Sequence, residues 1–155
     1  MIDIRPYRGS DAGDLALIFH DAVQRGTGNH YDQAQRNAWS PRCPAPHDWA
    51  RRLAGGQTIV ASTGGRSVGF MSWQEDGYLD LMFVHPDFMG RGIGDALYWV
   101  MHNRSLAAGI SQLRTDASHL AKPFLMRHGW VHEGSQNVIK NNVELTNHRM
   151  QLGLG

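Results

Sequence analysis

The middle of the chain reads Val84-His85-Pro86-Asp87-Phe88-Met89-Gly90-Arg91-Gly92-Ile93-Gly94-Asp95-Ala96-Leu97, where an apolar strand runs through glycines into an amphipathic helix. Gly90, Gly92 and Gly94 let the backbone approach a ligand without a Cβ in the way. The first turn of the helix points unpaired N–H groups at the same place. With the helix dipole and the charge of Arg91, these donors predict a cradle for a phosphate or pyrophosphate.

Glycine spacing separates the kinds of loop that bind nucleotide phosphates. A P-loop needs Lys and then Ser or Thr after its last glycine, whereas Gly94 is followed by Asp95 and Ala96. A dinucleotide fingerprint needs Gly-x-Gly-x-x-Gly after a strand and an acidic residue about 20 positions further on. Asp116 could be that acid. The third glycine is missing, however, because its position is Asp95 when counted from Gly90 and Gly92, and Leu97 when counted from Gly92 and Gly94. This interpretation therefore fits poorly.

A third kind of loop fits the residues as they stand. Val84-His85-Pro86-Asp87 followed by Gly90-Arg91-Gly92-Ile93-Gly94 resembles the acyl-CoA pyrophosphate loop of the GNAT superfamily of acyl-CoA-dependent N-acyltransferases. Phe124-Leu125-Met126-Arg127-His128-Gly129-Trp130 is similar to the helix and glycine-aromatic turn that follow in that family. Val143-Glu144-Leu145-Thr146-Asn147-His148-Arg149-Met150 is similar to its last strand, and resembles the YafP-like bacterial branch in particular. The resemblance covers essentially the whole chain.

The resemblance implies an activity and a cosubstrate. We expect direct transfer of an acetyl group from acetyl-CoA to a primary amine of a small molecule or peptide. The residues that the resemblance places against CoA are Phe83, Val84, Met89, Gly90, Arg91, Gly92, Ile93, Gly94, Asp95, Ala96 and Ser118. It also places residues 26–31, Trp39 and the proline-rich loop 40–46 beside the acceptor. The acceptor itself stays open, because acceptor loops vary most and carry least pattern.

Three positions depart from the family pattern. Met89 stands where the loop usually begins with Gln or Arg, which removes one polar contact to the pyrophosphate. Leu125 stands where the family often has the Tyr that protonates the departing thiolate, and Ser118 replaces an Asn near the pantetheine arm. Met89 and Leu125 keep a second hypothesis open, a non-catalytic acyl-CoA-binding or sensor protein of the same fold.

Acyl transfer to an amine needs a base, because an alkyl amine with a pKa of about 10 is mostly ammonium at neutral pH. Asp80 is our candidate, since the family often carries its basic carboxylate on the strand that feeds the CoA loop. Strand alternation predicts that Asp80 points away from Leu79, Leu81 and Phe83. Pairing with a neighbouring Arg, or exposure to solvent, is an equally weighted alternative.

The other catalytic elements are less marked in the sequence. Backbone N–H groups near Phe83 and Val84 are expected to contact the oxyanion and the pantetheine, because the family opens its sheet at this strand. Tyr31, His30, Ser118 and His148 are candidate proton donors, although a structural or exposed position is the more common one for each. Alternatively, the thiolate leaves unassisted, since a thiol pKa near 8.5 makes it a tolerable leaving group.

Composition bounds the class of protein. A chain of 155 residues with 41% hydrophobic and 19% charged residues is typical of a single globular domain spanning residues 1–155. Net charge of +1 gives no case for a nucleic-acid or membrane partner. We expect a cytoplasmic protein without a resident metal, and an edge strand near the C-terminus makes a homodimer plausible. Cys43 is the single cysteine, which excludes an internal disulfide.

Hydrophobic periodicity predicts the elements around the loop. Strands are expected at residues 2–6, 58–61, 68–73, 78–84, 112–115, 130–139 and 143–152, and helices at 15–22, 32–39, 47–53, 93–102 and 118–128. The early strands are joined by hairpins and the later ones through helices. This order predicts an α/β fold with a mixed, largely antiparallel central sheet flanked by helices on both faces. The five tryptophans are expected in the core or in the walls of a groove.

Overall fold

The computed structural model describes residues 1–155, and the elements follow one another as expected from the sequence. The first half contains β1 (Asp3–Pro6), a 3₁₀ turn (Gly9–Asp11), α1 (Ala12–Asp21), a π-helical turn (Ala22–Gly26), α2 (Gln33–Trp39), α3 (Pro46–Leu53), β2 (Gln57–Thr63) and β3 (Arg66–Trp73). The second half contains β4 (Leu79–Val84), a 3₁₀ turn (Pro86–Phe88), α4 (Ile93–Ala107), β5 (Gln112–Ala117), α5 (Ala121–Arg127), β6 (Val131–Lys140) and β7 (Val143–Gly153).

The strands form two sheets. One has the order β1-β2-β3-β4 and the other the order β5-β7-β6, and every ladder in both is antiparallel. A single parallel bridge between Tyr78 and Arg114 joins them. The predicted α/β class is confirmed, and the parallel component of the sheet is reduced to this bridge. Beyond it, no ladder joins β4 to β5, and a gap lined by residues of both strands lies between the sheets.

Helices cover both faces, as predicted. Leu97 and Met101 of α4 are fully buried in one core cluster, together with Leu113 of β5 and Leu125 of α5. Leu15 of α1 belongs to a second cluster with Trp49 of α3 and Phe70 of β3 on the other face. Full burial of one such side chain contributes about 1.5–3 kcal/mol. The sheet is therefore held between α4 on one side and α1 with α3 on the other.

The helix predicted at 118–128 begins later, at Ala121. Ser118 Oγ accepts the N–H of Ala121 at 3.1 Å and so closes the turn that precedes the helix. Pro123 is the third residue of α5, where its missing N–H removes no hydrogen bond within the helix. The helix predicted at 93–102 is longer in the structure, where α4 ends at Ala107. No helix of the structure has the length and apolar character needed to cross a membrane.

Gly77 sets the junction between the two sheets. It adopts a φ of +97°, its carbonyl accepts the N–H of Arg114 at 3.0 Å, and a Cβ at this position would overlap the carbonyl oxygen of Gln112. We expect Gly77→Ala to lower the free energy of unfolding by about 3 kcal/mol or more, because strain at positive φ adds to a backbone clash.

Chemical denaturation measures this loss, and Gly64→Ala is the matched control. Gly64 has a φ of +56° and no atom near the position of a Cβ, so its replacement is expected to cost only about 1–2 kcal/mol. Equal losses in the two variants would contradict the role given to Gly77.

Candidate active site

The glycine loop begins where β4 ends. The ring of His85 is buried and its Nδ1 accepts the N–H of Asp87 at 3.1 Å, which starts the 3₁₀ turn. Gly90 and Gly92 have φ values of +77° and +82°, a region that glycine enters without strain. Gly92 is the N-cap of α4 and no side chain caps this end. The helix N-terminus is therefore left open to an external acceptor of hydrogen bonds.

Only part of the predicted loop has free donors. The N–H groups of Ile93, Gly94 and Asp95 are the first three of α4 and lack acceptors within the helix. The N–H of Ala96 donates to Gly92 O at 3.0 Å, so it is already used. The guanidinium of Arg91 lies 4.9 Å from the centre of the Phe88 ring, on the exposed side of the loop.

A cleft of about 340 Å³ runs from this loop to the gap between the sheets. Of the predicted CoA contacts, nine line it: Phe83, Val84, Met89, Gly90, Gly92, Ile93, Gly94, Asp95 and Ser118. Arg91 and Ala96 do not line the cleft. The opposite wall comes from α5 and the residues before it, among them Leu120, Phe124 and Arg127.

Met89 has a packing role that accounts for its departure from the family pattern. A Cβ on Gly26 would lie 2.6 Å from Met89 Cε, so the thioether fills the space beside the π-helical turn. Arg25 and Asp87 form an ion pair at 2.5 Å between the same two segments. The loop is thereby fastened to the N-terminal helices by an apolar contact and an ion pair.

A bulge in β4 changes where Asp80 points. Trp73 pairs with Leu79 and Ser72 pairs with Leu81, so Asp80 is an extra residue in the ladder. Leu79 consequently joins the core cluster on the α4 side, whereas Leu81 joins the cluster of α1 and α3. The alternation predicted from the sequence is wrong at this point, and Asp80 faces α3 on the same side as Leu81.

Asp80 is paired with Arg52 of α3. The guanidinium donates to both carboxylate oxygens, from Nη1 to Oδ2 and from Nη2 to Oδ1 at 3.1 Å. The side chain of Asp80 is 16% exposed and that of Arg52 is 47% exposed. The hydrogen bond to Asp80 raises the pKa of Arg52 above its usual value. Asp80 therefore forms an ion pair with a neighbouring Arg, as in the alternative interpretation of the sequence. Its carboxylate also borders a cavity.

That cavity, of about 490 Å³, lies on the other side of the gap from the glycine loop. Six aromatic side chains line it: Phe19, Tyr31, Trp39, Trp49, Tyr78 and Phe83. Four charged side chains also line it, Arg52, Asp80, Asp116 and Lys140. Five residues line both the cavity and the cleft: Trp39, Met82, Phe83, Ser118 and Ala121. The two spaces therefore meet beside β4, in the gap between the sheets.

Tyr31 is a wall of the cavity whose hydroxyl is already engaged. It donates to Thr146 O at 2.9 Å and accepts the N–H of His119 at 3.0 Å. Its ring stacks on His119 at 4.8 Å, and burial raises the pKa of the phenol. These contacts fasten the segment before α2 to β7. Because the Tyr31 hydroxyl already donates to Thr146 O, its proton is not available to a ligand.

Ser118 is placed differently. It is the one hydroxyl residue among the five that border both spaces. Its Oγ accepts the Ala121 N–H, and its own proton has no acceptor within the protein. Leu125, at the usual position of the family Tyr, is 1% exposed and lines the cavity. Its aliphatic side chain has no proton to donate.

Sequence reasoning missed a hydrogen-bonded carboxylate across the gap. Tyr78 donates to Asp116 Oδ2 at 3.2 Å, and Gln136 donates to Asp116 Oδ1 at 3.0 Å. Burial, and then the charge of Asp116, raise the pKa of Tyr78 to about 12. Tyr78 precedes β4, Asp116 lies on β5 and Gln136 on β6, so no local motif marks them.

Other predicted residues lie elsewhere. Residues 40–46 border neither the cavity nor the cleft, and Cys43 is exposed in that loop. From residues 26–31, Thr27 borders the cleft and Tyr31 borders the cavity. Trp99 is 51% exposed on α4, so the prediction that every tryptophan lies in the core or a groove wall is wrong for it. No group of three or more His, Cys, Asp or Glu side chains is arranged to hold a metal ion.

Comparison with known proteins agrees with this geometry. The family model described as "Acetyltransferase (GNAT) domain" matches residues 27–152. The chain is 35% identical to the uncharacterized N-acetyltransferase YafP of Escherichia coli (strain K12) over 97% of this chain and 95% of that protein. It superposes on the GCN5-related N-acetyltransferase of Rhodopseudomonas palustris with a TM-score of 0.92 and 32% identity, covering 98% and 95% of the two chains.

A more distant structure shares the fold. YncA of Salmonella typhimurium, a putative acetyltransferase solved with its cofactor acetyl-CoA, superposes with a TM-score of 0.76 at 19% identity, covering 100% of this chain and 95% of that one. The match to the family model extends over most of the chain, and relatives above 30% identity cover nearly all of it. The chain therefore belongs to the GNAT family of acetyltransferases.

Proposed function

We propose that this protein transfers an acetyl group from acetyl-CoA directly to a primary amine. The observation that carries the proposal is the meeting of two spaces at one gap. A cleft that ends at an uncapped helix N-terminus joins an aromatic, charged cavity at Phe83 and Ser118. A thioester reaching through the cleft and an amine held in the cavity would contact each other there.

The cleft suits CoA at both ends. The free N–H groups of Ile93, Gly94 and Asp95, with the positive end of the α4 dipole, would bind the pyrophosphate. Toward the gap, β4 is the edge strand of its sheet, so alternate N–H and C=O groups face the open side. Those near Phe83 and Val84 would pair with the pantetheine amides and with the oxyanion of the tetrahedral intermediate.

Asp80 is the proposed base. Its carboxylate borders the cavity two residues before Met82, which lies where the two spaces meet. The carboxylate, held in place by Arg52, would take the proton of the acceptor's ammonium directly or through water. The freed amine then attacks the thioester carbon and a C–N bond forms. The C–S bond breaks, and the nitrogen gives its surplus proton to solvent as the amide forms.

Ser118 is the proposed partner of the departing thiolate. Its hydroxyl lies at the meeting point and has a free proton to donate as a hydrogen bond. Leu125 offers no acid, so the sulfur would leave as a thiolate that Ser118 hydrogen-bonds and solvent protonates. A thiol pKa near 8.5 makes this departure feasible at neutral pH.

The second candidate is an acyl-CoA-binding or sensor protein without turnover. The apolar side chains of Met89 and Leu125 favour it, since both replace polar groups of the family pattern. The two candidates share the cofactor and differ in what happens when an amine is supplied.

Thermal unfolding with acetyl-CoA, CoA, NAD and ATP in parallel tests the cofactor. A ligand at 100 times its dissociation constant adds about 2.7 kcal/mol of stability. We expect stabilisation by acetyl-CoA and CoA, and little by NAD or ATP. Absence of any shift with the CoA species would overturn the proposal.

A further inference from the structure

The acceptor cavity holds charges that the protein leaves unmatched, and an inference that rests on the proposed function follows from them. Arg52 and Asp80 neutralise each other. Asp116 is held only by neutral donors, the Tyr78 hydroxyl and the Gln136 amide. Lys140 lies within 4.0 Å of no carboxylate and makes no side-chain hydrogen bond. One negative and one positive charge therefore remain in the same cavity.

The two unmatched charges belong to different parts of the cavity. Asp116 lies on β5, at the side of the gap opposite β4, and accepts the hydroxyl of Tyr78 at 3.2 Å. The unmatched negative charge therefore lies at the gap. Lys140 is the last residue of β6, at the turn into β7.

The hairpin that carries Lys140 is fixed at the cavity. Asn141 and Asn142 form its turn with φ values of +49° and +65°. The side-chain amide of Asn141 donates to Ala38 O of α2 at 2.7 Å. This contact ties the turn to the helix that carries Trp39, another cavity residue. Lys140 is an exposed residue that borders the cavity next to this fixed turn.

The walls also contain polar atoms without partners. Trp49 is 6% exposed and its Nε1 has no acceptor in the protein, while Asn147 Oδ1 has no donor. Both residues line the cavity, but neither of these two atoms is accessible from it, so ligand recognition falls to the charged side chains. A purely apolar amine would leave both charges without a partner in the complex, whereas a ligand with an anionic group and an ammonium complements them.

We propose that the acceptor is a small zwitterion, an amine that carries an anionic group, of the amino acid class. Its ammonium binds at the carboxylates of the gap, where the thioester arrives, and its anionic group binds toward Lys140. The aromatic walls contact the rest of the molecule. A peptide N-terminus, which has an amide where the amino acid has its carboxylate, fits this charge distribution less well.

The test compares glycine and each L-amino acid with a primary amine against its own amide as acceptor, by release of CoA and by mass spectrometry of the product. The amide keeps the amine and loses the anion. Its amine is less basic, so more of it is free base at neutral pH, which works against the expected preference. We expect kcat/KM to be about fivefold or more higher for the best amino acid than for its amide, and the preference to weaken at high salt.

Lys140→Met is expected to remove the preference by raising KM for the amino acid while leaving the amide unchanged, and Lys140→Arg to retain it. Arg104→Met is the matched control, because Arg104 is an exposed cation of α4 that does not border the cavity. Amides accepted as well as amino acids, or a preference that survives Lys140→Met, would overturn this inference and leave the transferase intact. Failure of every amine despite acetyl-CoA binding would contradict the proposed function itself.

Discussion

Replacing Asp80 with Asn is expected to lower kcat for amine acetylation by about 10²- to 10⁴-fold, the range typical of a lost general base. Asn has the same shape and still accepts a hydrogen bond from Arg52, so the loss reports the missing proton acceptor. Binding of acetyl-CoA is expected to stay unchanged, because Asp80 does not border the CoA cleft. Steady-state kinetics with a saturating amine, together with titration of acetyl-CoA, measure both quantities.

Asp116→Asn is the matched control for this prediction. Asp116 borders the same cavity and is also a carboxylate, but it lies on β5 and accepts from Tyr78 and Gln136. Its replacement is expected to raise KM for the amine more than it lowers kcat. A kcat that falls less than threefold in Asp80→Asn, or further in Asp116→Asn than in Asp80→Asn, would remove Asp80 from the role of base.

Replacing Gly94 with Asp is expected to weaken acetyl-CoA binding by about 100-fold or more, which corresponds to about 2.7 kcal/mol. Gly94 lies in the first turn of α4 and borders the cleft, so the new carboxylate would stand where the pyrophosphate is expected. Like charges in contact cost several kcal/mol. The positive end of the helix dipole stabilises a carboxylate at this position by about 0.3–1 kcal/mol, so we expect the fold to persist.

Gly94→Asn separates charge from bulk in this experiment. A Cβ at Gly94 would lie 3.3 Å from Phe124 Cε2, so either substitution requires a small shift of that ring. We expect the Asn variant to lose considerably less affinity than the Asp variant in calorimetric titration. Equal losses would mean that steric exclusion alone acts at this loop, and unchanged affinity in both variants would place CoA elsewhere.

The glycine loop and the helices on both faces of the sheet could be predicted from the sequence because their causes are local. Gly90 and Gly92 adopt the positive φ values that favour glycine, and α4 follows without a capping side chain. Helical periodicity placed Leu97 and Met101 in the core, where they are fully buried. Even so, the free donors end at Asp95, since the N–H of Ala96 completes the helix.

The acceptor cavity could not be predicted because its parts are distant in the chain. The bulge at Asp80 depends on how β4 pairs with β3, and it reverses the facing that simple alternation predicts. Arg52 meets Asp80 from a helix 28 residues away. Tyr78, Asp116 and Gln136 come together only when strands of two sheets meet. None of these contacts leaves a local pattern in the sequence.

The most direct test of the central claim follows CoA release and the N-acetylated product together, with acetyl-CoA and a panel of primary amines that includes the amino acids. We expect CoA release that depends on the amine, with one molecule of N-acetylated product formed for each CoA. Binding of acetyl-CoA without release on the whole panel would contradict direct transfer and establish the sensor instead.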